Sequence, residues 1–300
     1  MEIKVSNDSG FGNRLYNWEC CYEIAKINNA ILTCDYPELE FIDLPNTIKI
    51  VNFNYSSPPE NYKPFNSNNI EKDGFILDQK YNHYSTEGFG FSRYFALKQR
   101  SEFDFPKKGM KLKDDILSDK IKDIVKNVVG VHIRRGAVPQ GGDSTPTTFV
   151  KDRYGHPDFW YMSLMDQIVE IIPDVKFYIS SNATKQELQS YYDKYDVVTH
   201  KDILGYESTH SDLRSWNIYL EHCRTGKMVD TDLAGMVDFF SLIYSKLIIC
   251  SYSSWSTNAF EVQNTPSIWP EEEHQKIDSL KLNRNSNKER LISVNELFNK

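Results

Sequence analysis

The segment Gly130 to Gly136 reads G-V-H-I-R-R-G and sets one histidine and two arginines at the end of an apolar run. Along an extended chain, alternation puts His132 and Arg134 on one side and Ile133 on the other. A guanidinium is a planar fork that matches phosphate oxygens. In group transfer such a cation stabilises the charge that builds on a leaving diphosphate. The same arginine could instead hold a structural carboxylate, and spacing alone leaves both roles open. The flanking glycines permit close backbone approach.

Two further segments carry polar groups at a strand-to-helix junction. Asp8-Ser9-Gly10-Phe11-Gly12-Asn13 is a glycine turn feeding a helix, where an anion or a sugar hydroxyl could be received. Asn13 serves equally well as a simple cap. A dinucleotide fingerprint fails there, because Leu15 stands where the third glycine is required, and no Walker phosphate loop occurs anywhere. Ser251-Tyr252-Ser253-Ser254-Trp255-Ser256 follows an apolar run and precedes a helix expected over Thr257–Gln263. Its hydroxyls and free amides could hold phosphate, or could be ordinary caps. Asp230-Thr231-Asp232 matches a D-x-D pattern able to chelate Mg²⁺ or Mn²⁺, but Asp232 is also explained as a helix cap. No G-x-S-x-G elbow is present, which argues against a serine hydrolase. His222 beside Cys223 is too little for zinc.

These residues need elements to place them. Ile3 to Val5 reads as a first strand. A helix is expected from Asn13, with Leu15, Trp18, Tyr22, Ala25 and Asn29 on one face. Ala30–Cys34 follows as a buried strand, the opening of an α/β domain with a parallel sheet. Residues 51–95 read as surface loops with short strands, whose tyrosines are either candidate sugar platforms or simple loop anchors. Lys111–Lys126 reads as a charged amphipathic helix. Val128–Ile133 has the pattern of a buried parallel strand that delivers residues at its carboxyl end. Helices are then expected over Phe159–Ile172, Lys185–Lys194, Leu213–His222 and Leu233–Ser245. Strands are expected over Val175–Ser180, Val197–His200 and Leu247–Cys250. A final helix, Asn287–Lys300, could dock back across the domain seam. The domains expected are 1–125 and 126–300.

The whole chain has 300 residues, 40% hydrophobic and 13% aromatic, which excludes wholesale disorder. Lys and Arg total 35 against 42 Asp and Glu, a net charge of -7 that argues against a nucleic-acid binder. The five cysteines, Cys20, Cys21, Cys34, Cys223 and Cys250, form no C-x-x-C pair and read as reduced thiols. The opening Met-Glu-Ile-Lys-Val shows no apolar leader, and no run of 18 apolar residues suggests a membrane span. The expected location is cytoplasmic, with peripheral membrane attachment left open.

His132-Ile133-Arg134-Arg135-Gly136 resembles the H-x-R-R-x-D motif of fucosyltransferases that use GDP-fucose and make α1,2 and α1,6 linkages. Gly10-Phe11-Gly12-Asn13-Arg14-Leu15 is similar to the G-x-G-N-Q-L/M segment of the α1,2 enzymes. Asp232 to Met236, followed by Ile248 to Ser256, is similar to their last motif: an aspartate-led helix, a strand and a serine-rich turn. The resemblance implies a GT-B-like α/β fold, two Rossmann-like domains facing a cleft, with the nucleotide sugar held by the carboxy-terminal domain. It implies inverting, metal-independent transfer with no cofactor beyond the donor substrate. By the match, Arg134 binds the donor β-phosphate, with His132 and Arg135 in the donor pocket. Ser253 and Ser254 then lie near the phosphates, and Gly10 and Gly12 form the amino-terminal edge of the cleft.

The motif aspartate is replaced by Ala137, and the next carboxylate is Asp143. In the α1,6 branch a carboxylate shortly after this motif acts as base, which makes Asp143 the expected catalytic base, with Asp8 and Asp35 as rivals. The expected activity is inverting transfer of a sugar, L-fucose from GDP-fucose, to a glycan hydroxyl. The alternatives are another nucleotide-sugar transferase or a non-catalytic carbohydrate-binding protein. Tyr55, Tyr62, Tyr81 and Tyr84 are candidates for the acceptor subsite; the acceptor itself, the linkage and the oligomeric state have no signature.

Overall fold

The computed structural model describes residues 1–5, 11–34, 36–49, 62–65, 75–86, 109–135, 157–183, 185–206, 233–251, 253–263, 265–269, 280–281, 291–292 and 294–299. These fall into two compact α/β units: described residues up to Lys113 form one, and those from Asp114 on form the other.

The first unit opens with β1 (Glu2–Lys4), α1 (Phe11–Ile27) and β2 (Ile31–Cys34). Short strands β3 (Ile42–Asp43), β4 (Thr47–Lys49), β5 (Lys63–Phe65), β6 (His83–Thr86) and β7 (Lys111–Leu112) follow. The main sheet runs β4-β2-β1-β6-β5 with every pair parallel, and β3 pairs antiparallel with β7. The first helix starts two residues earlier than the residue pattern suggests, so Gly12 belongs to its first turn. It ends at Ile27, and Asn29 just beyond, with a φ of 50°, takes the left-handed conformation that closes a helix. Among the tyrosines proposed as sugar platforms, Tyr84 is a core residue of β6, 3% exposed. Tyr62 donates to Glu2 Oε1 at 3.0 Å, while Tyr55 lies outside the described residues.

The second unit contains α2 (Asp115–Val125), β8 (Val128–Ile133), α3 (Asp158–Ile171), β9 (Lys176–Ser181), α4 (Gln189–Lys194), β10 (Val197–Val198) and α5 (His200–Leu204). It continues with α6 (Leu233–Tyr244), β11 (Leu247–Ile249), α7 (Ser254–Gln263), β12 (Ser267–Ile268), β13 (Leu280–Lys281), β14 (Leu291–Ile292) and α8 (Val294–Phe298). Asp114 caps α2 by accepting from the Leu117 amide at 2.9 Å, which fixes its start four residues after Lys111. His200 is the first residue of α5 rather than the end of a strand, because Thr199 and Asp202 form a capping box there. The terminal helix spans only Val294–Phe298, since Leu291–Ile292 pairs antiparallel with Leu280–Lys281.

The second sheet runs β10-β9-β8-β11-β12, all parallel. All six residues of β8 are buried, as a central parallel strand requires. Val129, Val131 and Ile133 join Phe177 and Ile179 in a core with Trp160, Tyr161, Leu164 and Met165 of α3. The opposite face carries Gly130 and Tyr178 toward α6. Gly130 has a specific reason to be glycine: a Cβ there would meet Leu242 Cδ2 and Ser245 Oγ at 2.9 Å. Helices therefore cover both faces of the sheet. Among the described residues, no helix is long and apolar enough to cross a membrane, and Cys20, Cys21, Cys34 and Cys250 are buried free thiols.

Candidate active site

The strand order of the second sheet reverses at β8. From β8 the chain moves outward one way to β9 and β10; later it returns on the other side as β11 and β12. The carboxyl ends of β8 and β11 thus flank a topological switch point, the crevice where open parallel sheets take up ligands. His132 lies near the end of β8 with the two arginines just past it, and the serine-rich turn follows β11.

These two segments meet. His132 Nδ1 hydrogen-bonds to Ser256 Oγ and lies 3.0 Å from Ser251 Oγ, and the Ser251 amide donates to Ser256 Oγ at 3.3 Å. The imidazole is 6.5 Å from the Trp255 ring, which in turn stacks edge-on with Phe239 of α6. Burial pushes the His132 pKa down to about 3, and the nearby Arg134 charge pushes the same way. His132 is consequently a neutral ring braced between two serine hydroxyls. Arg134, one residue past the end of β8, is exposed, and its charge reaches the His132 ring.

Arg135 is buried. Its guanidinium pairs with Asp158, the first residue of α3, and Tyr191 donates to the same carboxylate oxygen at 2.8 Å. Burial and the Asp158 charge both push the Tyr191 hydroxyl far up, so it remains a donor. Two adjacent arginines therefore have separate partners: Arg135 is committed to a carboxylate in the fold, while Arg134 faces outward.

Ser253 and Ser254 open α7 and are half-buried. Ser253 Oγ accepts from the Trp255 amide at 3.3 Å, and the Ser253 amide donates to the Ser251 carbonyl at 2.8 Å. The helix starts at Ser254, three residues before the expected Thr257, so this hydroxyl sits in its first turn. Amides of a first turn with a positive macrodipole end suit an anion.

In the first unit, Gly12 is buried in the first turn of α1, and Gly10 lies outside the described residues, as do Asp8 and Asp35. Asp143, Asp230 and Asp232 also lie outside them. Arg14, from the same glycine segment, forms a fully buried ion pair with Glu38, and Tyr36 donates from its hydroxyl to the Arg14 carbonyl at 3.0 Å. Among the described residues no cluster of three His, Cys, Asp or Glu could hold a metal ion.

Sequence reasoning did not find Asp158, Tyr191, Asn182, Ser251 or Ser256 as partners of the H-x-R-R segment. Their separations in the chain, such as 23 residues for Asp158 and 124 for Ser256, offer no local signal. Only the strand-turn-helix pattern around Ser251–Ser256 pointed toward the last of them.

No protein-family model matches the chain, and no curated protein sequence matches it. Solved structures do. The fucosyltransferase NodZ from Bradyrhizobium superposes with a TM-score of 0.51 at 11% identity, covering 97% of this chain and 98% of the other. NodZ α1,6-fucosyltransferase co-crystallised with GDP gives a TM-score of 0.52 at 12% identity, with the same coverage. The same enzyme soaked with GDP-fucose gives 0.50 at 12% identity. Two five-stranded parallel sheets in one chain, matched over nearly the whole length of both molecules, give this protein the GT-B type of α/β fold, built from two Rossmann-like units.

Proposed function

We propose that this protein is an inverting glycosyltransferase that moves L-fucose from GDP-fucose to a glycan hydroxyl. The observation that supports it most is the meeting of the His132–Arg134 strand end with the Ser251–Ser256 turn at the switch point of a parallel sheet. A nucleoside diphosphate there would present its phosphates to the exposed Arg134 guanidinium and to the first-turn amides of α7. NodZ, of similar fold, was crystallised with GDP and soaked with GDP-fucose, which favours guanosine among the nucleotides and fucose among the sugars.

In this reading Arg134 neutralises charge on the departing diphosphate as the glycosidic bond breaks. His132 stays neutral and hydrogen-bonding, and supplies no proton. Asp143 removes the proton of the acceptor hydroxyl as it attacks the anomeric carbon from the opposite face. Divalent metal has no part, because arginine and amide groups take the role of the ion.

A thermal-shift panel with GDP, UDP, CMP and their sugars tests the donor. The expected result is stabilisation by GDP and GDP-fucose. Stabilisation by UDP with none by GDP would reject the assignment. For the base, Asp143→Asn preserves size and removes the carboxylate. GDP binding should persist while transfer falls by about 10²-fold or more. Near-wild-type transfer across a pH series would exclude Asp143 as base.

A further inference from the structure

We infer that Asn182 is a positioning residue for Arg134, acting by clamping the peptide of Arg135. This deepens the nucleotide-diphosphate reading of the strand end and rests on it. β8 and β9 run in register to their last residues, Ile133 opposite Ser181. Beyond that pair the main-chain ladder stops, and side chains from the end of β9 take over. Ser181 Oγ donates to the Ile133 carbonyl at 2.7 Å and accepts from the Ala183 amide at 3.0 Å. Asn182 Oδ1 accepts from the Arg135 amide at 2.8 Å, and its Nδ2 donates to the Arg135 carbonyl at 3.0 Å.

A carboxamide carries one acceptor and two donors on a rigid plane. Here it offers a single residue the donor and acceptor that a further strand residue would have offered. Arg134 therefore lies between a pinned Ile133 carbonyl and a doubly pinned Arg135. The Arg135 side chain is fastened separately to Asp158. With both neighbours held, the Arg134 Cα and the direction of its side chain are set before any anion arrives. Ordering done in the free protein does not have to be done on binding, so the clamp contributes to affinity and to the geometry of transfer without touching the ligand.

The test is a double-mutant cycle on the full chain, read by calorimetric titration with GDP and separately with inorganic pyrophosphate. Asn182→Ala should weaken both ligands about tenfold in the wild-type background and less than about twofold in an Arg134→Ala background. An equal loss in the two backgrounds would reduce Asn182 to a fold-holding role and overturn the inference. Asn182→Asp keeps the fold-bearing shape if the alanine variant is unstable. Its carboxylate still accepts from the Arg135 amide but cannot donate to the carbonyl, whereas the protonated acid does both. Measured against wild type at the same pH, its deficit should shrink as pH falls toward about 4, the carboxylate range. A deficit independent of pH would contradict the clamp. Uptake of pyrophosphate without GDP would reject the nucleotide reading instead, and the pyrophosphate cycle would still decide the role of Asn182.

Discussion

Arg134 and Arg135 are neighbours in the chain and opposites in circumstance. The first is exposed near His132, and the second is held in a buried pair with Asp158. The consequences of mutation should divide the same way. Arg134→Ala should lower transfer by about 10²-fold, near 3 kcal/mol of transition-state stabilisation. Its unfolding free energy should stay within about 0.5 kcal/mol of wild type, as for other surface substitutions. A folded variant with normal turnover would remove Arg134 from the chemistry. His132 predicts a pH effect of fixed sign. Its folded pKa of about 3 lies below the ordinary histidine value, so the unfolded chain binds the extra proton first. The stability this confers is fully present above about pH 6.5 and is lost as pH falls toward 3. Acid unfolding followed by circular dichroism should therefore be shallower for His132→Gln over that window, and an unchanged slope would contradict a buried neutral ring. That these residues come at the end of a buried strand was legible from the apolar run before them. Which arginine the fold itself consumes was not, because Asp158 and Tyr191 arrive from elements 23 and 56 residues away.

At the level of elements, the position of the site follows from a reversal in strand order. β8 is flanked by β9, which follows it in the chain, and by β11, which comes more than a hundred residues later. Periodicity and apolar runs disclosed most of the strands and helices of this unit, since each buries one face in a regular way. They did not disclose that the Ser251–Ser256 turn lands beside His132, for register between distant strands has no local signature. Boundaries moved for local reasons too: the capping box at Thr199 took His200 into a helix, and the pairing of Leu291–Ile292 shortened the last one. The approach of α6 to β8 depends on Gly130. Gly130→Ala should cost about 1–3 kcal/mol in denaturant unfolding, because the added methyl meets Leu242 and Ser245 well inside contact distance. A neutral substitution would mean that α6 can move away without loss.

The whole molecule carries a net charge of -7, so an anionic donor gains no general attraction from it and must rely on local cations and amides. In the proposed reading, Arg134 after β8 and the first turn of α7 after β11 provide both. Transfer should persist in excess EDTA; loss of activity restored by Mn²⁺ would turn attention to Asp230 and Asp232 and to ion-assisted departure of the diphosphate. Fold class was legible at this scale from the opening strand, glycine turn, helix and strand and from the buried run at β8. The tyrosines of residues 51–95 gave no such guidance, since a buried sheet residue such as Tyr84 and an exposed platform share one composition. The central claim is that the switch point of the second sheet holds a guanosine diphosphate through Arg134. Calorimetric titration of GDP into the wild-type chain and into Arg134→Ala tests it directly. The account predicts saturable binding to the wild type and a loss of about tenfold or more in the variant. Equal affinity in the two proteins, or no binding of GDP to the wild type, would contradict it.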